Sequence, residues 1–221
     1  GTIPKRVEEY DYIWGHAVAT IEEALLLRKK RKKKPILILG FVFPDAYEEV
    51  VKYDIRPAVF KLSMARQLSE EAVRQGKTVH VHIKVDTGMS RIGFKDNAES
   101  ADIVKEISQL PNLDTEGLFT HFARADERDK TAANEQLTRY QAFAKLLEDR
   151  QVPIKYHHCS NSAGIYDMKD ANMDIVRAGI SIYGMYPSDE VNKDEVPLRT
   201  DEDDKNKMTK LYKEKRDERE K

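Results

Sequence analysis

The chain has a single cysteine, almost no net charge and no long apolar run, and each scarcity excludes a class of protein. Cys159 alone cannot build a disulfide framework, so stability must come from a hydrophobic core, and the usage suits a reducing compartment. No apolar stretch reaches the ~18 residues of a membrane span, and there is no signal-peptide core; the expectation is a soluble, cytoplasmic protein with no membrane partner. Lysine plus arginine number 38 against 39 acids, a balance that gives no global field for nucleic acid or an anionic surface. Zinc spacing is missing too. His157, His158 and Cys159 are strand neighbours pointing to opposite faces, and no second ligand pair follows, so no metal is expected.

What is present is centred on His82 to Phe94, HIKVDTGMSRIGF. His80, His82, Lys84 and Asp86 alternate with Val79, Val81, Ile83 and Val85, the period of a strand with one apolar face and one polar face. Polar groups on an inward face need partners or a ligand. The strand ends in Thr87-Gly88-Met89-Ser90-Arg91, where Gly88 permits a tight turn and Arg91 offers a fork suited to carboxylates or phosphates.

At 221 residues the chain can form one sizeable core, or an α/β barrel slightly below the usual ~250 residues. Thr2 and Pro4 suit the first turn of a helix within residues 1–10. Strands are expected at Tyr12–Thr20, Pro35–Val42, Ile55–Lys61, Thr78–Gly88, Leu113–Ala123, Lys155–Cys159 and Met173–Tyr183. Helices are expected between them: a capping box at Thr20–Glu23 opens one, Gly76 stops the helix from Ser63, Pro111 stops the one from Asn97, and Asp126-Glu127 reads as a helix start. In the helix from Thr131 to Arg150, Leu137, Tyr140, Phe143, Leu146 and Leu147 form an apolar stripe that reads as core. The seven basic residues from Arg28 to Lys34 read as a solvated helix C-terminus rather than a nucleic-acid patch. From Arg199 onward 17 of 23 residues are charged, which cannot supply a core, so 199–221 is expected to be mobile or marginally helical.

Seven strands alternating with helices argue a parallel α/β architecture. An open doubly wound sheet would alternate in the same way. A barrel, however, gathers its functional residues just after strand C-termini, and Thr87–Arg91, His121–Asp126, Asn161-Ser162 and Arg177–Ile180 all stand there. Arg177 is an arginine in an otherwise apolar stretch, which fits a donor to a buried ligand atom or a structural ion pair. Asn161-Ser162-Ala163-Gly164, with Gly179-Ile180, could wall a phosphate with hydroxyl and backbone N–H groups.

In this order, VATIEEALLLR, PILILG, KVDTGMSRIGF, GLFTHFARADE, CSNSAG and VRAGISIYG resemble alanine racemase, a fold-type III pyridoxal phosphate enzyme, over roughly residues 1–198. The resemblance implies a TIM-type (β/α)8 barrel that is incomplete, with about seven strands and the first one missing. Arg177 would hydrogen-bond the pyridine nitrogen of the cofactor, Asn161, Ser162, Gly179 and Ile180 would lie at its phosphate end, and His121 would pack beside its ring. Arg91 would help bind the substrate carboxylate, oriented by Lys84, which is carbamylated in many members. The family's Schiff-base lysine would precede Gly1, and its second base is a tyrosine of a C-terminal β domain reaching across a homodimer, so neither base is expected in this chain. Lys61 and Lys84 stand near strand C-termini but on other strands. The implied function is interconversion of L-alanine and D-alanine, feeding bacterial cell-wall synthesis, with this chain inactive alone. The alternatives are a non-catalytic barrel that binds pyridoxal phosphate or phosphate, and a protein of the pyridoxal phosphate homeostasis type.

Overall fold

The computed structural model describes residues 8–30 and 32–193. The turn expected at Thr2 and Pro4 and the charged segment from Arg199 lie outside the described residues.

Six strands lie side by side in chain order and all run parallel: β1 (His16–Val18), β2 (Ile36–Ile38), β3 (Arg56–Val59), β4 (Val79–Asp86), β6 (Leu113–Phe119) and β7 (Tyr156–His158). A short β5 (Phe94–Lys95) pairs with the end of β4. Strand order that never reverses is single winding, which excludes the doubly wound alternative. The sheet also curls. Trp14, just ahead of β1, meets the ring of Tyr156 on β7 at 5.6 Å and that of His82 on β4 at 5.5 Å. Among the described residues β1 and β7 are not bonded to each other, so the sheet is a half-barrel with two edges.

Between the strands run α1 (Ile21–Lys29), α2 (Tyr47–Lys52), α3 (Leu62–Gln75), α4 (Ala98–Ile107), α5 (Thr131–Asp149) and α6 (Ser162–Asp167). Their ends follow local chemistry. Thr20 caps α1 by accepting from the Glu23 N–H, and Glu23 reaches back to the Ala19 N–H at 2.9 Å, which closes the expected capping box one residue early. Asn97 caps α4 through the Ser100 N–H at 2.9 Å. Replacing Asn97 by alanine is expected to cost about 1 kcal/mol in urea denaturation, and no loss would show that α4 is held by packing alone.

β4 separates its faces as its alternation predicts. Val79, Val81, Ile83 and Val85 enter the core between sheet and helices with Leu68, Val104, Leu118 and Phe143, while His82 and Lys84 are buried on the concave face. The stripe on α5 is core as expected: Tyr140, Phe143 and Leu147 are fully covered. Among the described residues no helix is long and apolar enough to cross a membrane.

Three expectations are corrected. Met173–Tyr183 is not a strand: only Ile180–Tyr183 is regular, as a 3-10 turn. No ladder forms because the segment meets β7 only in places: the N–H groups of Asp174 and Ile175 both donate to the His157 carbonyl at 3.1 and 3.3 Å, the Asp174 carboxylate takes the His157 N–H at 2.7 Å, and the N–H groups of Gly179 and Ser181 donate to the Ser162 hydroxyl at 3.0 and 3.4 Å. Asp126-Glu127 starts no helix; the chain stays irregular until Thr131, held by Lys130 donating to the Ala125 carbonyl at 2.8 Å and to the Glu127 carbonyl. The basic run is not simply solvated. Arg28 donates at 2.8 Å to each of the carbonyls of Lys32, Lys34, Tyr53 and Asp54, and Lys34 donates to those of Tyr10 and Ile13. Arg28 therefore ties the end of α1 to the turn before β3.

Candidate functional site at the carboxyl ends of the strands

Arg177 is the centre of the site, and the irregular backbone around it is what lets it turn inward. One terminal nitrogen donates to the Nδ1 of His158 at 2.6 Å and to the His158 carbonyl at 3.1 Å. The other donates to the carbonyls of Thr120 and Cys159, both at 2.8 Å. The guanidinium lies 5.5 Å from the centre of the Phe119 ring, which itself stacks on His158 at 4.7 Å. Burial lowers the Arg177 pKa to about 10, so the group stays charged at neutral pH. Its Nε is buried with no partner among the described residues. A rigid guanidinium with one donor left over is a group waiting for an acceptor.

Beside it, the N–H groups of Gly179 and Ser181 converge on the Ser162 hydroxyl. Asn161 caps α6 by accepting from the Gly164 N–H at 3.0 Å and so fixes the turn that presents Ser162. The hydroxyls of Ser160 and Ser181 are buried without partners. Of the residues expected at a phosphate, Asn161, Ser162 and Gly179 are thus brought together, and Ile180 follows with an exposed side chain. A ligand with an acceptor for the Arg177 Nε and an anionic tail fits this donor set, because among the described residues nothing accepts from that nitrogen.

His121 follows β6, and Gln136 of α5 fixes its backbone by donating to the His121 carbonyl at 3.1 Å and accepting from the Ala123 N–H at 2.9 Å. Burial first, then Arg177, Arg91 and Lys84, lower the His121 pKa to about 4 from the ordinary 6.5. Between those values the unfolded chain binds the proton that the folded one refuses, so this group makes stability fall as pH drops through the window. His121→Phe is expected to flatten that dependence when denaturation midpoints near pH ~5 and pH ~7 are compared. An unchanged slope would show that His121 does not carry it.

Lys84 projects from β4, donating to the Val85 carbonyl at 3.0 Å and lying 5.4 Å from the centre of the Phe119 ring. Burial lowers its pKa to about 8; Asp86 opposes the shift, and Arg177 and Arg91 add to it. Asp86 shapes the following turn by accepting from the N–H groups of Gly88 and Ser90, both at 3.0 Å. Gly88 takes φ +142°, a region that disfavours side chains. Arg91 is exposed and no hydrogen bond joins it to Lys84. As two cations they repel, so Lys84 as an ammonium does not orient Arg91.

A buried chain on the concave face was missed from the sequence. Arg56 Nε and His82 Nε2 both meet the same Glu116 oxygen at 3.2 Å, His82 Nδ1 meets His158 Nε2 at 2.8 Å, and His158 passes on to Arg177. Glu116 faces inward because β6 carries one extra residue: His80 pairs with Asp114, but His82 pairs with Gly117. That bulge breaks the alternation a sequence reading relies on.

A family model described as alanine racemase, N-terminal domain, matches residues 6–187. The alanine racemase of Clostridium tetani is 43% identical over 183 residues, which cover 83% of this chain and 47% of that protein. The alanine racemase of Methanococcus maripaludis is 40% identical, covering 83% of this chain and 49% of its own length. Among solved structures, alanine racemase of Clostridium difficile 630 matches with a TM-score of 0.88 and 40% identity over 90% of this chain and 52% of that one. The chain spans about half the length of the relatives it matches.

Proposed function

The chain belongs to the alanine racemase N-terminal domain family, whose members depend on pyridoxal phosphate, and from that premise we propose that it forms the cofactor cradle of an amino-acid racemase, with alanine as substrate. The observation that carries the reading is the buried, partnerless Nε of Arg177. An arginine remains protonated beside a pyridine nitrogen, so it donates a hydrogen bond without giving up its proton. Pyridoxal phosphate, when bound, supplies a ring that withdraws electrons from an amino acid's α-carbon. The chain's own residues would do the rest. Ser162 and the N–H groups of Gly179 and Ile180 would hold the phosphate, Asn161 would fix their turn, and neutral His121 would flank the ring without adding charge.

Lys84 and Arg91 would receive the substrate carboxylate. A lysine with a pKa of about 8 is neutral in roughly a tenth of molecules near pH ~7, against fewer than about one in a thousand for an ordinary one. The neutral amine can attack carbon dioxide, losing a proton and becoming an anionic carbamate. That change would turn its repulsion of Arg91 into attraction. With labelled bicarbonate the full chain is expected to show a carbamate carbon resonance that disappears in Lys84→Arg; a resonance that persists in the variant would contradict the assignment.

The reading extends to a barrel region over residues 1–198, an extension over 199–221, and assembly as a homodimer. A non-catalytic cradle is the second reading, and one observation favours it: Lys84 is committed to the Val85 carbonyl, and Lys61 is exposed at the head of α3. Borohydride reduction of the chain mixed with pyridoxal phosphate, followed by peptide mass spectrometry, separates the two. One defined labelled lysine supports an enzyme site, and saturable binding with no defined label supports the cradle alone.

A further inference from the structure

Below Arg177 the concave face holds a line of ionisable groups that the residues proposed to touch cofactor or substrate do not include. From Arg177 it runs through His158, His82 and Glu116 to Arg56, so that with Arg177 the network joins five stretches of chain: the segment after α6, β7, β4, β6 and β3. His82 and His158 are fully buried. Trp14 covers one side of His82 and Phe119 stacks on His158. All four ring nitrogens have protein partners.

The proton positions follow from what each group can do. Arginine only donates, so His158 Nδ1 must accept. A neutral imidazole has one N–H, which places the His158 hydrogen on Nε2, pointing at His82 Nδ1 across 2.8 Å. His82 Nδ1 must then accept, and its hydrogen sits on Nε2, facing Glu116 across 3.2 Å. The far end demands the same direction. Glu116 lies beside Arg56 Nε at 3.2 Å, and with His82 this holds its carboxyl down at about 2, so it is ionised and only accepts. Reversing the chain would set a His158 N–H against an Arg177 N–H across 2.6 Å, two donors with no acceptor between them.

We infer that Glu116, anchored by Arg56, is a positioning residue for Arg177: it accepts the His82 Nε2–H, which leaves His82 Nδ1 to accept from His158, and the His158 ring held between His82 and Arg177 keeps the guanidinium pinned with Nε aimed at a ring acceptor. The tautomers stand on the structure alone, whereas the aim at a ring nitrogen rests on the proposed cofactor site. Glu116 touches neither.

The test uses the full chain with nitrogen-labelled histidine. Long-range nitrogen–proton correlation spectra should show His82 and His158 neutral at neutral pH with the hydrogen on Nε2, each assigned by its own substitution. In Glu116→Leu the His82 Nε2–H loses its acceptor, so His82 should move toward the Nδ1–H form and give up its bond to His158, while His158, still facing Arg177, keeps its hydrogen on Nε2; Glu116→Gln keeps a carbonyl acceptor and should restore the wild-type pattern. If Glu116→Leu does not fold, Glu116→Ser admits a water that donates as readily as it accepts, and mixed tautomers of His82 are expected. Affinity is read with deoxypyridoxine phosphate, which lacks the aldehyde and cannot label lysines. It should weaken about tenfold in Glu116→Leu or Glu116→Ser, roughly one hydrogen bond to a charged donor, while inorganic phosphate binds as before. Nδ1–H forms in the wild type, or a His82 tautomer indifferent to Glu116, would overturn the inference. Switched tautomers with unchanged deoxypyridoxine phosphate affinity would overturn the link to Arg177. A wild type with no affinity for that probe would instead overturn the cofactor site, leaving the tautomer result to decide the role of Glu116.

Discussion

Arg177→Ala is expected to destabilise the chain by about 3–5 kcal/mol and to abolish binding of a pyridoxal phosphate analogue. The carbonyls of Thr120, His158 and Cys159 and the Nδ1 of His158 all lose their donor together. Each orphaned buried acceptor costs about 1–3 kcal/mol, and partial relaxation brings the sum below simple addition. Arg177→Lys keeps the charge but loses the fork. An ammonium has three hydrogens on one atom and cannot serve four acceptors on two sides, so a loss about half as large is expected, with analogue affinity still lost. Urea denaturation and analogue titration check both. A stability change under about 1 kcal/mol for alanine would show that those carbonyls reach water, and the rigid description of the site would fail.

Gly117→Ala is the second large effect, and here the added atom does the damage. A Cβ at Gly117 would overlap the His82 ring, 2.6 Å from its Cε1 and 2.8 Å from its Cγ. An exposed side chain would swing away. His82 cannot, because Glu116 and His158 hold both its nitrogens and Trp14 packs against it. Either the ring leaves its hydrogen bonds or β6 separates from β4, and a loss of about 3 kcal/mol is expected from overpacking plus a broken buried network. Gly117→Val should prevent folding. If Gly117→Ala denatures within about 0.5 kcal/mol of wild type, the His82 ring has freedom that this account denies it.

The acid side of the stability curve follows from the same network. Glu116 has its pKa lowered from 4.5 to about 2, so the stability it contributes is complete above its unfolded value and drains away as pH falls toward 2. Arg56→Met should lessen that acid sensitivity by raising the Glu116 pKa toward its ordinary value.

How much of this was legible in the sequence depends on which rule each residue obeys. β4 was readable because period-two alternation holds along its whole length, and the capping residue Thr20 was readable because a cap needs only local chemistry. Arg177 stood out as a charge among apolar neighbours, yet its strand did not form, because the Asp174 carboxylate takes the His157 N–H that a ladder would use and Ser162 draws the amides of Gly179 and Ser181, and no pattern within Met173–Tyr183 announces that. Glu116 was hidden by the bulge: LDTEGLF alternates as though Glu116 and Leu118 shared a face, and one extra residue separates them. Gln136 was hidden inside an apolar helix stripe, where an amide reads as tolerated rather than as the brace for His121. Trp14 read as one more strand residue, and only curling brings it to His82. The barrel-like placement of functional residues after strand ends was visible early, since it depends on order along the chain and not on contacts across it.

The central claim is that these residues form a cradle for a phosphorylated pyridine, and titration of the full chain with deoxypyridoxine phosphate tests it most directly. The account predicts saturable binding that inorganic phosphate competes away, weakened by about tenfold or more in Ser162→Ala and in Arg177→Lys. A folded wild-type chain that shows no saturable binding, or binding that both substitutions leave unchanged, would contradict it.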